Sequence, residues 1–70
     1  MHRQPIHSGH LKAVGYDPKA RVLEIEFHYG GVYQYGDVPE AVYVELLKTP
    51  SCGAYFHAHI KNRYLCHRIQ

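Results

Sequence analysis

The stretch "VLEIEFHYGGVYQY", residues 22–35, carries the strongest periodic signal in the chain. Leu23, Ile25, Phe27 and Tyr29 fall at every second position, and Glu24, Glu26 and His28 fill the positions between them. In a strand, successive side chains point to opposite faces, so the segment from Val22 to Tyr29 predicts a sheet with one dry side and one wet side. Gly30 and Gly31 then permit the positive φ of a hairpin turn, and Val32 to Tyr35 reads as the returning strand. The face taken by Tyr33 and Tyr35 depends on the length of that turn. A two-residue loop, the commoner hairpin, sets both rings beside Glu24 and Glu26. A three-residue loop shifts the register by one and sends both into the core.

Upstream, Asp17-Pro18-Lys19-Ala20 has proline where its fixed φ suits a type I turn, so Leu11 to Tyr16 is a further strand leading into Val22. The opening residues 1–8 are polar, contain a proline, and read as a loose arm. Downstream the period changes from two to nearly four. Asp37-Val38-Pro39-Glu40 has the pattern of a capping box, with Asp37 as N-cap. Val42, Leu46 and either Tyr43 or Leu47 then recur at helical spacing as far as Lys48. "TPSCG" interrupts this helix, and Ser51 is a suitable N-cap for a second one carrying Phe56, Ile60 and Tyr64 at intervals of four. Gly53, one turn earlier on that face, allows close packing. Residues 66–70 read as a loose tail. The expectation is one α+β domain over residues 1–70. It has a three-stranded antiparallel sheet followed by two short helices packed on one face, in the order β-β-β-α-α.

Composition narrows the function. A chain of 70 residues has room for a single small core. The apolar share of 46% and charged share of 20% suit a globular fold and argue against disorder. Lys48, Lys61, Arg63 and Arg68 face Glu45 alone after residue 43, so the C-terminal part is the basic end. Two cysteines without a CxxC, no secretory leader pattern and no long apolar run argue against a disulfide framework and a membrane span. A cytoplasmic protein is expected.

Along nearly its whole length the chain resembles the KTSC domain. The residues that carry the resemblance are "VGYDP", "LEIEF", "GGVYQY" with its Tyr33-Gln34-Tyr35, "VPEAVYVELL", and "SCGAYFHAHIKNRY" with Ser51, Gly53, Tyr55, Phe56, Ile60 and Tyr64. That family is a short module, attached to some lysyl-tRNA synthetases and also found alone in bacteria. The attachment implies RNA as a ligand class.

Candidate nucleic-acid-binding residues follow from chemistry. Tyr33 and Tyr35, if displayed on the wet face, would stack on bases, and tyrosine equally suits half-buried strand positions. Lys48, His57, Lys61, Arg63 and Arg68 would supply phosphate contacts, with His57, Lys61 and Arg68 along one side of the second helix. The seven histidines raise the question of metal, but His57 and His59 are two apart on a helix and diverge. No pair matches zinc spacing, so no metal or cofactor is expected. Cys52 at a helix start is a conceivable nucleophile and equally a small packing residue; no enzymatic activity is expected. The two expected roles are an RNA-binding module and a protein-interaction or homodimerisation module.

Overall fold

The computed structural model describes residues 2–70. The elements are β1 (Gln4–Pro5), β2 (Leu11–Asp17), β3 (Val22–Phe27), β4 (Val32–Tyr35), α1 (Glu40–Lys48), α2 (Cys52–His59) and β5 (Cys66–Arg68). All five strands form one antiparallel sheet in the order β1-β2-β3-β4-β5. The architecture is α+β, as the periodicity indicates, with five strands in place of three. The two additional strands come from the segments read as a loose arm and a loose tail. Neither shows periodicity, because each is only two or three residues long and is held by its neighbour strand.

The register of the β3–β4 hairpin decides the faces. Ile25 pairs with Tyr33 and Leu23 with Tyr35. The amide of Phe27 donates to the Gly31 carbonyl at 3.1 Å, and that of Gly30 to the Phe27 carbonyl at 3.1 Å. The loop is therefore the three-residue His28-Tyr29-Gly30, with φ of +110° at Gly30 and +93° at Gly31. Both tyrosine rings lie on the Leu23/Ile25/Phe27 side. Preference for the shorter hairpin gives way to burial: this register places Tyr35 in the core at 5% exposure. Tyr29 leaves the core face for the turn.

On the dry side, Leu11, Val14, Leu23, Ile25, Phe27 and Tyr35 meet Val38, Leu46, Cys52, Phe56 and Ile60. A β-bulge between Leu11 and Ala13 makes this possible. One extra residue shifts the alternation, so that Leu11 and Val14 share a face. Phe56 stands edge-on to both Phe27 and Tyr35, at 5.4 and 5.8 Å between ring centroids. Tyr43, not Leu47, supplies the helix contact: its ring stacks on Tyr16 at 5.2 Å, and the Tyr16 hydroxyl donates to the Val38 carbonyl at 2.6 Å.

Two helix ends depart from expectation. Asp37 does not cap α1, whose N-cap is Pro39 without a side-chain bond. Asp37 sits at φ +58° and turns its carboxylate to Arg21, 3.3 Å away. Ser51 does cap α2, accepting from the Ala54 amide. That helix stops at His59, because the Lys61 amide bonds back to the Phe56 carbonyl and Asn62 takes a left-handed φ of +63°. Tyr64 keeps the spacing of four but lies beyond the helix, half-buried against the core.

Candidate functional site

The candidate residues separate into distinct places. Lys61 and Arg63 are exposed in the turn after α2, and Arg68 is in β5, so the basic C-terminal helix expected from the sequence does not form. The left-handed Asn62 is the physical reason, since it ends the helical wheel on which these cations were to align. Lys48, exposed at the end of α1, precedes the start of α2 and so stands at the other end of that helix from Lys61. His57 is exposed on α2 and helps line an open cleft of about 480 Å³ together with His7, His10, Ser51 and Gly53. Gly53 lets the His10 ring lie close against α2: a Cβ there would stand 2.9 Å from it, and the exposed ring would have to shift.

Tyr35 is buried, and burial pushes its hydroxyl well above the ordinary tyrosine range. It cannot receive a base. Tyr33 is half-buried and edges onto Phe27 at 5.6 Å. Its cross-strand partner is Arg68, and that of Tyr35 is Cys66. Opposed residues share a face, so Cys66 and Arg68 lie on the helix side of the sheet, yet both are exposed. The helices therefore leave the β5 end of that side uncovered. At this ledge the Arg68 guanidinium and the Tyr33 ring both close on Gly31, at 3.2 and 3.1 Å from where a Cβ would stand. Beside it Tyr29, 74% exposed, lies with one ring face on Phe27 at 5.1 Å and 21° between planes. Sequence reading missed Tyr29 as a site residue by counting it into the core stripe. The Gly30-Gly31 pair directly after it is the signal that it belongs to a turn.

The opposite face of the sheet carries a different arrangement. Gly15, Glu24, Gln34 and His67 stand in one cross-strand row over β2, β3, β4 and β5. Arg3 reaches over Gly15 and its guanidinium bonds the Glu24 carboxylate, which also accepts from the Gln34 amide at 2.9 Å. Glu24 is 4% exposed. Burial alone would raise its carboxyl, but the hydrogen bonds from Gln34 and Arg3 and the Arg3 charge outweigh it and hold the group below the usual carboxylate range. Glu26 lies 3.7 Å from both Arg3 Nε and Lys12 Nζ. Gly15 is what lets the arm approach: a Cβ there would sit 2.6 Å from the His2 carbonyl oxygen. The sequence reading missed this row because it needs the arm in place.

The Cys52 thiol is buried and donates to the Leu46 carbonyl at 3.4 Å, which makes it a packing group between α1 and α2. Among the described residues no three His, Cys, Asp or Glu side chains are grouped as metal ligands, and no helix is long and apolar enough to cross a membrane.

A five-stranded antiparallel meander with two short helices on one side defines a small α+β module. The chain belongs to the KTSC domain family, whose profile matches residues 7–64. It is 38% identical over 64 residues to an uncharacterised protein of Stutzerimonas stutzeri, spanning 91% of this chain and 90% of that one. It is 43% identical over 54 residues to a lysine–tRNA ligase of Nostoc, covering 77% of this chain but 10% of the ligase. A crystal structure of a KTSC domain protein from Yersinia pestis superposes with a TM-score of 0.97 at 40% identity, over 99% of this chain and 97% of the other.

Proposed function

We propose that this protein is a non-enzymatic binding module that takes single-stranded or tRNA-like RNA on the ledge at the β5 end of the sheet. The observation that carries the reading is the Tyr29 ring: one face is stacked on Phe27 and the other is open to solvent, beside Tyr33 and Arg68. A ring held in that way is already ordered, so a base stacking on it gains about 1–3 kcal/mol. Arg68 at one end of β5, and Lys61 and Arg63 in the turn leading into its other end, offer cations along the ledge. Similarity to a tenth of a lysine–tRNA ligase supports the choice of RNA. Glu24 and Glu26, which would repel phosphate, are on the far side of the sheet.

Titration of the labelled protein with single-stranded RNA at low salt tests this. The amides of Tyr29, Tyr33 and Arg68 are expected to shift, and Tyr29→Ala to weaken binding about five- to hundredfold. Absence of shifts at low salt, where phosphate contacts are strongest, refutes the reading.

A further inference from the structure

The two edges of the sheet are unequal. At the β1 edge, Pro5 has no N–H to offer and the strand is two residues long, both of which blunt pairing with another chain. The β5 edge is also short, at three residues, but it contains no proline and keeps every backbone N–H. The Gly36 amide donates to the Leu65 carbonyl at 2.9 Å, and the Ile69 amide to the Val32 carbonyl at 2.8 Å. Leu65 and His67 thus turn their backbone groups inward to β4, and Ile69 its amide, while the Gln70 carbonyl takes the Val32 amide at 3.1 Å. By alternation, Cys66 and Arg68 turn theirs outward, away from the sheet. Two of the five large apolar side chains that are exposed in the described residues flank this strand: Leu65, 89% exposed, and Ile69, 40% exposed.

These residues are spaced symmetrically about His67, and that symmetry selects the occupant. We infer that the β5 edge pairs with the β5 edge of a second copy of this chain, antiparallel and with His67 on the two-fold axis. Cys66 then stands opposite Arg68 of the second copy, and these outward-facing residues exchange backbone hydrogen bonds. Leu65 stands opposite Ile69 of the second copy, on the face away from the helices, and the same pair recurs across the axis. Every exposed apolar group flanking the strand receives an apolar partner, and the two five-stranded sheets become continuous. An unrelated strand would offer the hydrogen bonds but not the Leu65–Ile69 match at this separation. The dimer is independent of RNA binding, since its contacts are read without any ligand.

Sedimentation analysis of the full chain from micromolar to millimolar concentration tests the pairing, with charge variants to fix its register. The wild type is expected to show a monomer–dimer equilibrium. Leu65→Lys and Ile69→Glu are each expected to weaken it about tenfold. An equimolar mixture of the two variants restores association, because the lysine introduced in one copy meets the glutamate introduced in the other. Because Leu65 is so exposed, Leu65→Lys leaves the monomer fold in place. Hydrogen exchange on the wild type gives a second reading, with the Cys66 and Arg68 amides gaining protection as concentration rises. A wild type that stays monomeric throughout overturns the inference. So does a mixture that associates no better than either variant alone, or exchange at Cys66 and Arg68 that ignores concentration.

Discussion

Replacing Arg3 with alanine tests whether the N-terminal arm is part of the fold. The substitution removes the cation bonded to Glu24, a carboxylate 4% exposed in the wild type, and leaves it only the Gln34 amide, with Glu26 nearby. A hydrogen bond to a charged group is worth about 1.5–3 kcal/mol, and breaking a fully buried pair costs about 3–5 kcal/mol. The Arg3 side chain is one-quarter exposed, so water screens part of this, and a loss of about 1–3 kcal/mol is expected. A domain of this size has about 4–10 kcal/mol in total, so the thermal midpoint should fall by about 4–24 °C. Thermal denaturation followed by far-UV circular dichroism at neutral pH measures the midpoint, and urea denaturation the free-energy loss. The pH dependence has a defined sign. The folded Glu24 carboxyl lies below its unfolded value, so the stabilisation is present above the ordinary carboxylate range. It is lost as pH falls through the lowered value, and the gap between wild type and Arg3→Ala should close there. Coupling to Glu24→Gln in a double-mutant cycle should exceed about 0.5 kcal/mol. If Arg3→Ala matches the wild type at pH 7, or loses as much in the Glu24→Gln background, the arm contributes nothing through this pair.

Gly15→Ala forces a Cβ against the His2 carbonyl and should lift the arm, costing about 1–3 kcal/mol, whereas Gly9→Ala meets nothing within 4 Å and should be neutral or slightly stabilising; both are read by urea midpoint. Tyr35 has its folded pKa raised by burial, so its contribution is complete below the unfolded tyrosine value of about 10 and is lost as pH rises beyond it. Tyr35→Phe should flatten the alkaline fall in stability while changing little at neutral pH, as alkaline denaturation curves would reveal. A thiol reagent should modify exposed Cys66 rapidly in the native protein and buried Cys52 only on unfolding; rapid modification of both would contradict the packing of Cys52 against Leu46.

What the sequence disclosed follows the range over which each feature is determined. The alternation of Leu23, Ile25 and Phe27, the turn at Asp17-Pro18 and the Ser51 cap are set within a few residues, and each appears where local rules put it. The face of Tyr33 and Tyr35 rests on one residue of loop length, and burial of Tyr35 under Phe56 decides it from outside the hairpin. Asp37 shows the same competition: its pattern suits a cap, but Arg21 from the β2–β3 turn takes its carboxylate. The Arg3–Glu24–Gln34 row joins three segments distant in sequence, and β1 and β5 are too short to announce themselves. The ledge was legible in its residue types but not in its membership, because the end of α2 at Asn62 redistributes the cations and the hairpin turn exposes Tyr29.

The order of the sheet carries a consequence for how the chain folds. Strands β1 to β4 each pair with a neighbour in sequence, so three hairpins can close early and locally. The last pairing, β4 with β5, spans both helices, so it closes the longest loop and should form after the hairpins. The same strand should be the first to unzip in the native state, opening at a lower free energy than the rest. If β5 is also the seam between two copies, assembly clamps the most labile element of the molecule, and dilution alone would loosen it.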